Sequence, residues 1–490
     1  MLDVNHLLIQ SIIAPLVFSP IALALGKSLK EKLGWVTILP IGYSLICLLA
    51  ASSASLSAGE PALASYSWAG ILGGLDLLLD GISGPIALTI AVVSIVISIY
   101  SVSFMKGEEG LGGFFGIYLL FVSGMLGTVL AINLAAFFIF FELMLIGSWL
   151  LIALWGGEAR GRAALKYFLY TEAGALLLLA GIAIIFSLTG TLNLLELRSA
   201  STSIGSGVLT AAVSLMLLGF LVKMAIFPFH SWLPDAYTEA PMPITAIFST
   251  MTGIGGYAAL RILYTGFPKV LENGGLMIVL AVLALITMVY GGYLALAQTR
   301  LKRLLAYSSI SQMGYLLFGI AAASIVGLVG AILIYIAHSF AKALLFMISG
   351  LLSRKVGSDD LSKLGGLAGK MPLMSIAFLV GFLSLMGFPP LLGFWGELYV
   401  FAGSIYTAFA GSLDVARLTL TLIAIIFAII TAGYGLWTIK RSLFGEASEA
   451  VAKVEREPAL MLAPIVISMV ILIILGLQPT LITNMLQALS

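Results

Sequence analysis

The feature that most limits what this chain can become is a recurring run of about 18 to 25 apolar residues, nearly free of charge and bounded by short polar segments. A helix of that length crosses the roughly 30 Å of hydrocarbon in a bilayer. Fourteen runs can be marked, at approximately 6–25, 34–52, 82–105, 113–131, 134–155, 164–187, 208–228, 241–265, 275–297, 304–322, 326–352, 372–401, 416–439 and 459–478. Inside hydrocarbon each backbone N–H and C=O must find a partner within the spanning segment, so these runs are expected to be helices. The less apolar Ala58–Gly81 is expected to be an interfacial loop.

Composition narrows the class further. The chain is 61% hydrophobic and 9% charged, whereas a soluble domain carries about 25% charged residues. Its one cysteine, Cys47, excludes a disulfide framework and any cysteine-ligated cluster or zinc site. The histidines His6, His230 and His338 are too scattered for a metal site, and a net charge of +2 gives no basis for nucleic-acid binding. No phosphate-binding loop or dinucleotide fingerprint occurs, so no cofactor is expected. Asp3 and His6, not a basic region, precede the first run, which is expected to be a retained helix and not a cleaved leader.

Lysine and arginine test the number of spans. Eighteen of the 24 fall on the side reached after odd-numbered runs. Four fall on the other side (Arg198, Arg261, Lys269 and Arg417), and Lys223 and Lys342 lie inside runs. Basic residues favour the cytoplasmic side, so the expectation is an all-α, multi-pass membrane protein of about fourteen helices with both termini on the non-cytoplasmic side. Two stretches echo each other. IFPFHSW (Ile226–Trp232) ends the seventh run and GFPPLLGFW (Gly387–Trp395) lies inside the twelfth, their Phe-Pro pairs 161 residues apart. Five runs separate them, so the copies would be inverted, and paired proline-interrupted helices point to transport sites. The expected organisation is 1–112 with the first three helices, 113–265 and 275–439 as two inverted five-helix repeats broken in the seventh and twelfth spans, and 440–490 with a cytoplasmic loop and the last helix.

Charges inside the spans carry the functional reading, because a charge at mid-bilayer costs roughly 2.5–3.5 kcal/mol on insertion scales. Glu142 lies mid-span in the fifth run, and a locally bonded, protonated carboxyl is the alternative to a functional one. Lys223 precedes Pro228 by five residues in the seventh. Proline removes a backbone hydrogen bond, and the freed carbonyls can be hydrated, so a lysine there could exchange protons; snorkelling to the interface is the alternative. Burial disfavours the charged form of a lysine and a nearby carboxylate favours it. His338 and Lys342, at i and i+4 in the eleventh run, share one helical face with Tyr335. Glu397 follows the second proline break, where an interfacial position is the alternative, and Glu172 lies near the start of the sixth run. Thr250, Thr252 and His230 are auxiliary candidates.

At these residues the chain resembles the antiporter-like proton-channel subunits shared by respiratory complex I, membrane-bound hydrogenase-type complexes and Mrp-type multisubunit sodium/proton antiporters. The resemblance runs from the third span to the last and is carried by FPFHSWLPDAYTEAPMP (Phe227–Pro243), RLKRLLAYSSISQMGYLLFGI (Arg300–Ile320) and HSFAKALLFMISG (His338–Gly350). It implies that Glu142 and Lys223 form a switchable pair, that His338 and Lys342 form a central relay, and that Glu397 is the terminal group, a position held by lysine or glutamate in the family. The sequence departs at the eighth span. Many members place a lysine there, where this chain has Gly253 with Thr250 and Thr252 nearby. Water and hydroxyls bridge, or His338 and Lys342 suffice, or the wire is interrupted. The family's longest member carries a C-terminal lateral helix, and none is expected here. The implied function is proton translocation within a multisubunit ion-pumping complex, with other membrane subunits and lipid as partners and sodium as a second candidate ion. Any redox chemistry would lie in the partners. A scaffold subunit and a free-standing cation/proton antiporter are the alternatives.

Overall fold

Long apolar helices dominate the computed structural model, which describes residues 4–68, 70–454 and 459–488. Twelve helical stretches among these residues are long and apolar enough to cross a membrane. The first, His6–Ala58, is two helices, α1 (Val4–Leu29) and α2 (Leu33–Ala58). The chain turns at Lys30, whose φ is +49°, and α2 folds back so that Ser44 donates to the Ser11 carbonyl at 2.7 Å. Then follow α3 (Ser83–Phe104), α4 (Leu111–Leu130), α5 (Leu134–Trp155), α6 (Arg160–Thr189) and α7 (Ser206–Lys223). Next come α8 (Leu233–Glu239), α9 (Met242–Arg261), α10 (Gly274–Leu296), α11 (Leu301–Ala321) and α12 (Ile325–Lys355). The last are α13 (Pro372–Leu385), α14 (Leu392–Phe409), α15 (Val415–Phe427), α16 (Ile429–Leu443), α17 (Ala459–Leu477) and α18 (Thr480–Ala488).

Successive connections gather at two ends of the bundle. At the lysine-rich end Gly157 donates to the Glu239 carbonyl at 2.8 Å, and Leu301 to that of Asp359 at 2.8 Å. At the lysine-poor end Ile132 donates to the Asp76 carbonyl and Leu134 to that of Leu192, both at 2.9 Å. Helices α9 and α12 run antiparallel through the middle, α9 buried along its whole length and α12 along its central stretch. Ser249 of α9 donates to the Ser339 carbonyl of α12 at 3.2 Å, which sets Thr250 level with His338 and Gly253 level with Tyr335.

Several expectations are corrected. The segment 58–81 is not all loop: Ala62–Tyr66 (β1) and Leu75–Leu79 (β2) pair antiparallel, a short hairpin on an otherwise helical fold. Glycines at 73 and 74 turn the hairpin, and β2 is mostly buried because its apolar residues close the bundle's end. The seventh span stops being helical at Lys223, five residues before Pro228, and resumes at α8. The twelfth is interrupted between Leu385 and Leu392, as expected, whereas the thirteenth, expected to be continuous, is interrupted at Ala428. Arg261 and Arg417, expected in loops, are 1% and 4% exposed. Each is neutralised or capped within the protein, Arg261 by Asp80 and Arg417 by the Ala321 carbonyl at 2.7 Å. Arg456, one of the eighteen basic residues on the lysine-rich side, lies outside the described residues.

Candidate functional site

The first cluster forms where α7 ends. Lys223 is its last helical residue and is 1% exposed, so it does not snorkel. A helix that stops inside the bundle leaves its last carbonyls without helical partners. One is met by Trp232, whose Nε1 donates to the Val222 carbonyl at 3.0 Å across the break. Lys223 Nζ donates to the Tyr167 hydroxyl at 3.0 Å. It stands 5.5 Å and 5.3 Å from the ring centroids of Phe141 and Tyr167, within cation–π range. Tyr167 in turn meets Ser148 at 2.7 Å. Glu142 lies on α5 and is half-buried. Its charged neighbours are Glu172 and Lys223, and its Oε1 is buried without a hydrogen-bond partner. Among the described residues no carboxylate comes within 4.0 Å of Lys223. Glu142 and Lys223 are therefore near but apart, and Glu172, half-buried on α6, joins them.

The second cluster is central. On α12, His338 and Lys342 are 1% and 0% exposed. Lys342 Nζ donates to the Leu305 carbonyl at 2.9 Å and to Ser308. Neither ring nitrogen of His338 has a hydrogen-bond partner, nor do the buried hydroxyls of Thr250 and Tyr335. Unpaired polar atoms at such depth are costly unless water reaches them, so this is where hydration is expected. Thr252 points elsewhere: its hydroxyl meets Tyr237 at 2.7 Å and donates to the Phe248 carbonyl. Gly253 cannot carry a side chain without moving Tyr335, whose ring fills that space. Between the first two clusters the contacts of Tyr167 are with Phe248 and Met251.

The third cluster lies at the second break. Glu397 is on the second turn of α14, half-buried, and the helix continues to Phe409, so it is not an interfacial residue past a helix end. Its carboxylate lies against Gly387, whose φ is +64° and whose missing Cβ leaves room for it. Tyr315 and Tyr434 are its electrostatic neighbours. Tyr315 meets Thr431 at 3.1 Å, and the unbonded Tyr434 hydroxyl sits among Thr431, Gln312 and Ser308. Ser308 is also a partner of Lys342, so polar side chains line the way from Lys342 to Glu397. His230, 8% exposed, is set apart between the rings of Phe227 and Tyr290 at 5.6 and 4.9 Å.

Sequence reading overlooked Tyr167, Ser148, Ser308, Tyr315, Thr431 and Tyr434. The available signal was hydroxyl residues recurring within otherwise apolar spans, which becomes specific only when neighbouring helices are in place.

Buried lysines at a helix break and a helix centre, each bonded to a hydroxyl group, define a class of helical membrane protein built around titratable groups in the bilayer. Comparison makes the family specific. Residues 131–432 match the transmembrane family described as NADH:quinone oxidoreductase/Mrp antiporter. Residues 74–115 match the family described as NADH-ubiquinone oxidoreductase (complex I), chain 5 N-terminus. F(420)H(2) dehydrogenase subunit M of Methanosarcina mazei is 32% identical over 495 residues, covering 99% of this chain and 97% of that one. A chain of the Mrp complex from Dietzia sp. superposes with a TM-score of 0.85 at 29% identity, covering 98% of this chain and 51% of that one. A chain of respiratory complex I from Thermus thermophilus with bound NADH superposes with a TM-score of 0.84 at 26% identity, covering 99% and 100%. The chain belongs to the antiporter-like membrane subunits of the NADH:quinone oxidoreductase/Mrp antiporter family.

Proposed function

We propose that this protein moves protons across a membrane as one subunit of a larger ion-pumping assembly, either redox-driven or of the Mrp type. The observation that carries this reading is Lys223: a buried ammonium at a helix break, held by a hydroxyl and two rings, with Glu142 close but not in contact. At an effective dielectric near 20, moving a unit charge from about 4 to about 8 Å from Lys223 changes their interaction by roughly 2 kcal/mol. A shift of Glu142 of that size decides whether the lysine holds its proton. His338 and Lys342 then pass the charge on through the groups around Ser308 and Tyr434, and Glu397 releases it. Glu172 shares the input carboxyl site, and water held by Thr250 and Tyr335 serves His338. Thr252 and His230 act, at most, as neighbours that fix Tyr237 and the first break.

The same reading takes the chain as fourteen crossings with both termini on the non-cytoplasmic side, α1 and α2 counting separately and α13 with α14 as one interrupted crossing. It divides the chain into 1–112, the inverted repeats 113–265 and 275–439, and 440–490. The two breaks support the repeats, since each is followed by a tryptophan whose Nε1 caps a carbonyl, Trp232 on Val222 and Trp395 on Gly476. The partners are other membrane subunits and lipid, and sodium is the second candidate ion.

Replacing Lys223 by Ala in the assembled, vesicle-reconstituted complex should lower ion translocation by about 100-fold or more, the scale of a lost proton-transfer group, with native-gel mass unchanged. Unchanged translocation would reject the reading. It would favour a second one, a scaffold subunit, for which the Phe248 ring and the Met251 sulfur beside Tyr167, neither of them a proton carrier, speak.

A further inference from the structure

One face of α9 carries Ser249, Gly253, Tyr257 and Arg261 at intervals of four residues, the spacing that stacks side chains on one side of a helix. Its middle meets the unbonded hydroxyl-and-imidazole cluster of Thr250, Tyr335 and His338. The Tyr335 ring lies in the space that Gly253 leaves open, and Tyr257 is an electrostatic neighbour of Tyr335 toward the lysine-poor end. A polar face thus runs from the centre of the bundle toward that end.

The face does not run out freely. Arg261, 1% exposed, grips Asp80 with two nitrogens, Nη1 to Oδ2 at 2.6 Å and Nη2 to Oδ1 at 2.7 Å. Its Nε donates to the Tyr257 hydroxyl at 3.0 Å and its Nη1 to Thr265 at 3.3 Å. Tyr257 in turn spends its own proton on the Val129 carbonyl. Asp80 is fixed from its other side by the backbone N–H groups of Ile82 and Ser83 and by the Ser83 hydroxyl, at 2.9–3.0 Å. Tyr257, Arg261 and Asp80 are therefore all committed, and a delocalised cation that does not give up its proton stands across the path. A fixed arginine in a narrow polar passage is an electrostatic barrier to protons.

We propose that Arg261, latched to Asp80, is a charge gate that seals the lysine-poor end of the α9 face and keeps protons from leaking between His338 and that surface. This rests on the proton-translocating reading above and adds to it a residue that prevents slip. Asp80 and Tyr257 are positioning residues for the guanidinium.

The test uses the whole assembly reconstituted in vesicles with a pH-sensitive dye inside, without energy input. Arg261→Gln should raise passive proton leak by about tenfold or more, the change given by a barrier lowered by ~1.4 kcal/mol. Arg261→Lys keeps a cation but loses the two-pronged grip, and should stay tight. Both variants should lose thermal stability to a similar degree, so a purely structural pair predicts equal leak from both. An assembled Arg261→Gln complex as tight as wild type, or equal leak from Gln and Lys, overturns the proposal. Should Arg261→Gln not assemble, Asp80→Asn takes its place: the guanidinium without its counter-charge is released, leak is expected, and a tight complex overturns the proposal. Lys223→Ala measured alongside separates the two claims. Lost transport with a tight Arg261→Gln sinks only the gate, whereas unaffected transport in Lys223→Ala sinks the translocation reading on which the gate depends.

Discussion

A cation surrounded by protein persists only where something other than bulk water stabilises it, and this chain does so in two ways. Lys223 and Lys342 are held by hydroxyls, carbonyls and ring faces with no carboxylate in contact among the described residues, an arrangement from which a proton can be lost. Arg261 is held by a two-pronged carboxylate, from which it cannot. The carboxyl of Asp80 lies outside the spanning segments. Burial alone would push it up, but the Arg261 guanidinium and the Ser83 hydrogen bonds more than offset that, leaving it below the usual carboxylate range. The sign follows from linkage: with the folded value depressed, the pair's contribution is present above the unfolded value of about 3.9 and is lost as pH falls through the lower folded value. Asp80→Asn should therefore destabilise the purified complex from pH 5 to 8, by about 3–5 kcal/mol for one lost partner of a buried pair. The difference should shrink only below about pH 4, read as the gap between thermal unfolding curves. A gap that closes near neutral pH would contradict the assignment.

At the scale of elements, glycine decides which helices meet closely enough to share polar groups. A Cβ on Gly330 of α12 would stand 2.5 Å from the Val400 nitrogen of α14, and one on Gly396 would lie 2.8 Å from Ile334. Contacts of this kind between small residues are how helices pack in lipid, where no hydrophobic drive separates helix from solvent. Gly330→Leu should push α14 away from α12, costing at least ~1–3 kcal/mol for overpacking, and should lower the midpoint of thermal aggregation in detergent. Wild-type behaviour would mean that the two helices tolerate separation. The breaks themselves were foreseeable from Pro228 and the Pro389-Pro390 pair. Their extent was not, because Lys223 ends α7 five residues early through local contacts, with Trp232 capping Val222 across the gap. The hairpin at 62–79 was hidden by its small residues and by the absence of long alternation, and it forms because the bundle's end offers β2 a surface to cover.

The whole molecule is asymmetric in charge from end to end, and that asymmetry can be read from either side of a membrane. Cys47 is buried, so a single introduced cysteine reports cleanly. Glu158→Cys at the lysine-rich end should react with a membrane-impermeant maleimide only from the cytoplasmic side. Ser203→Cys at the opposite end should react only from outside. Both positions are exposed, and labelling of both from one side would overturn the orientation. The molecule also explains why its candidate site was legible only in part. Glu142, Lys223, His338, Lys342 and Glu397 stand out along the chain because charge in an apolar run is rare and costly. Tyr167, Ser308, Tyr434 and Arg261 do not, since hydroxyls are common in membrane helices and an arginine near a span's end looks like a loop residue.

Membrane insertion, helical crossings and the few titratable groups in their midst were already determined along the chain, because hydrocarbon penalises unpaired backbone and unpaired charge wherever they occur. Which of those groups touch, which stay unbonded and which are locked was decided only in three dimensions. Lys223 reaches Tyr167 across 56 positions of sequence and Arg261 reaches Asp80 across 181, and such distances are set by how helices pack and not by anything local to either residue.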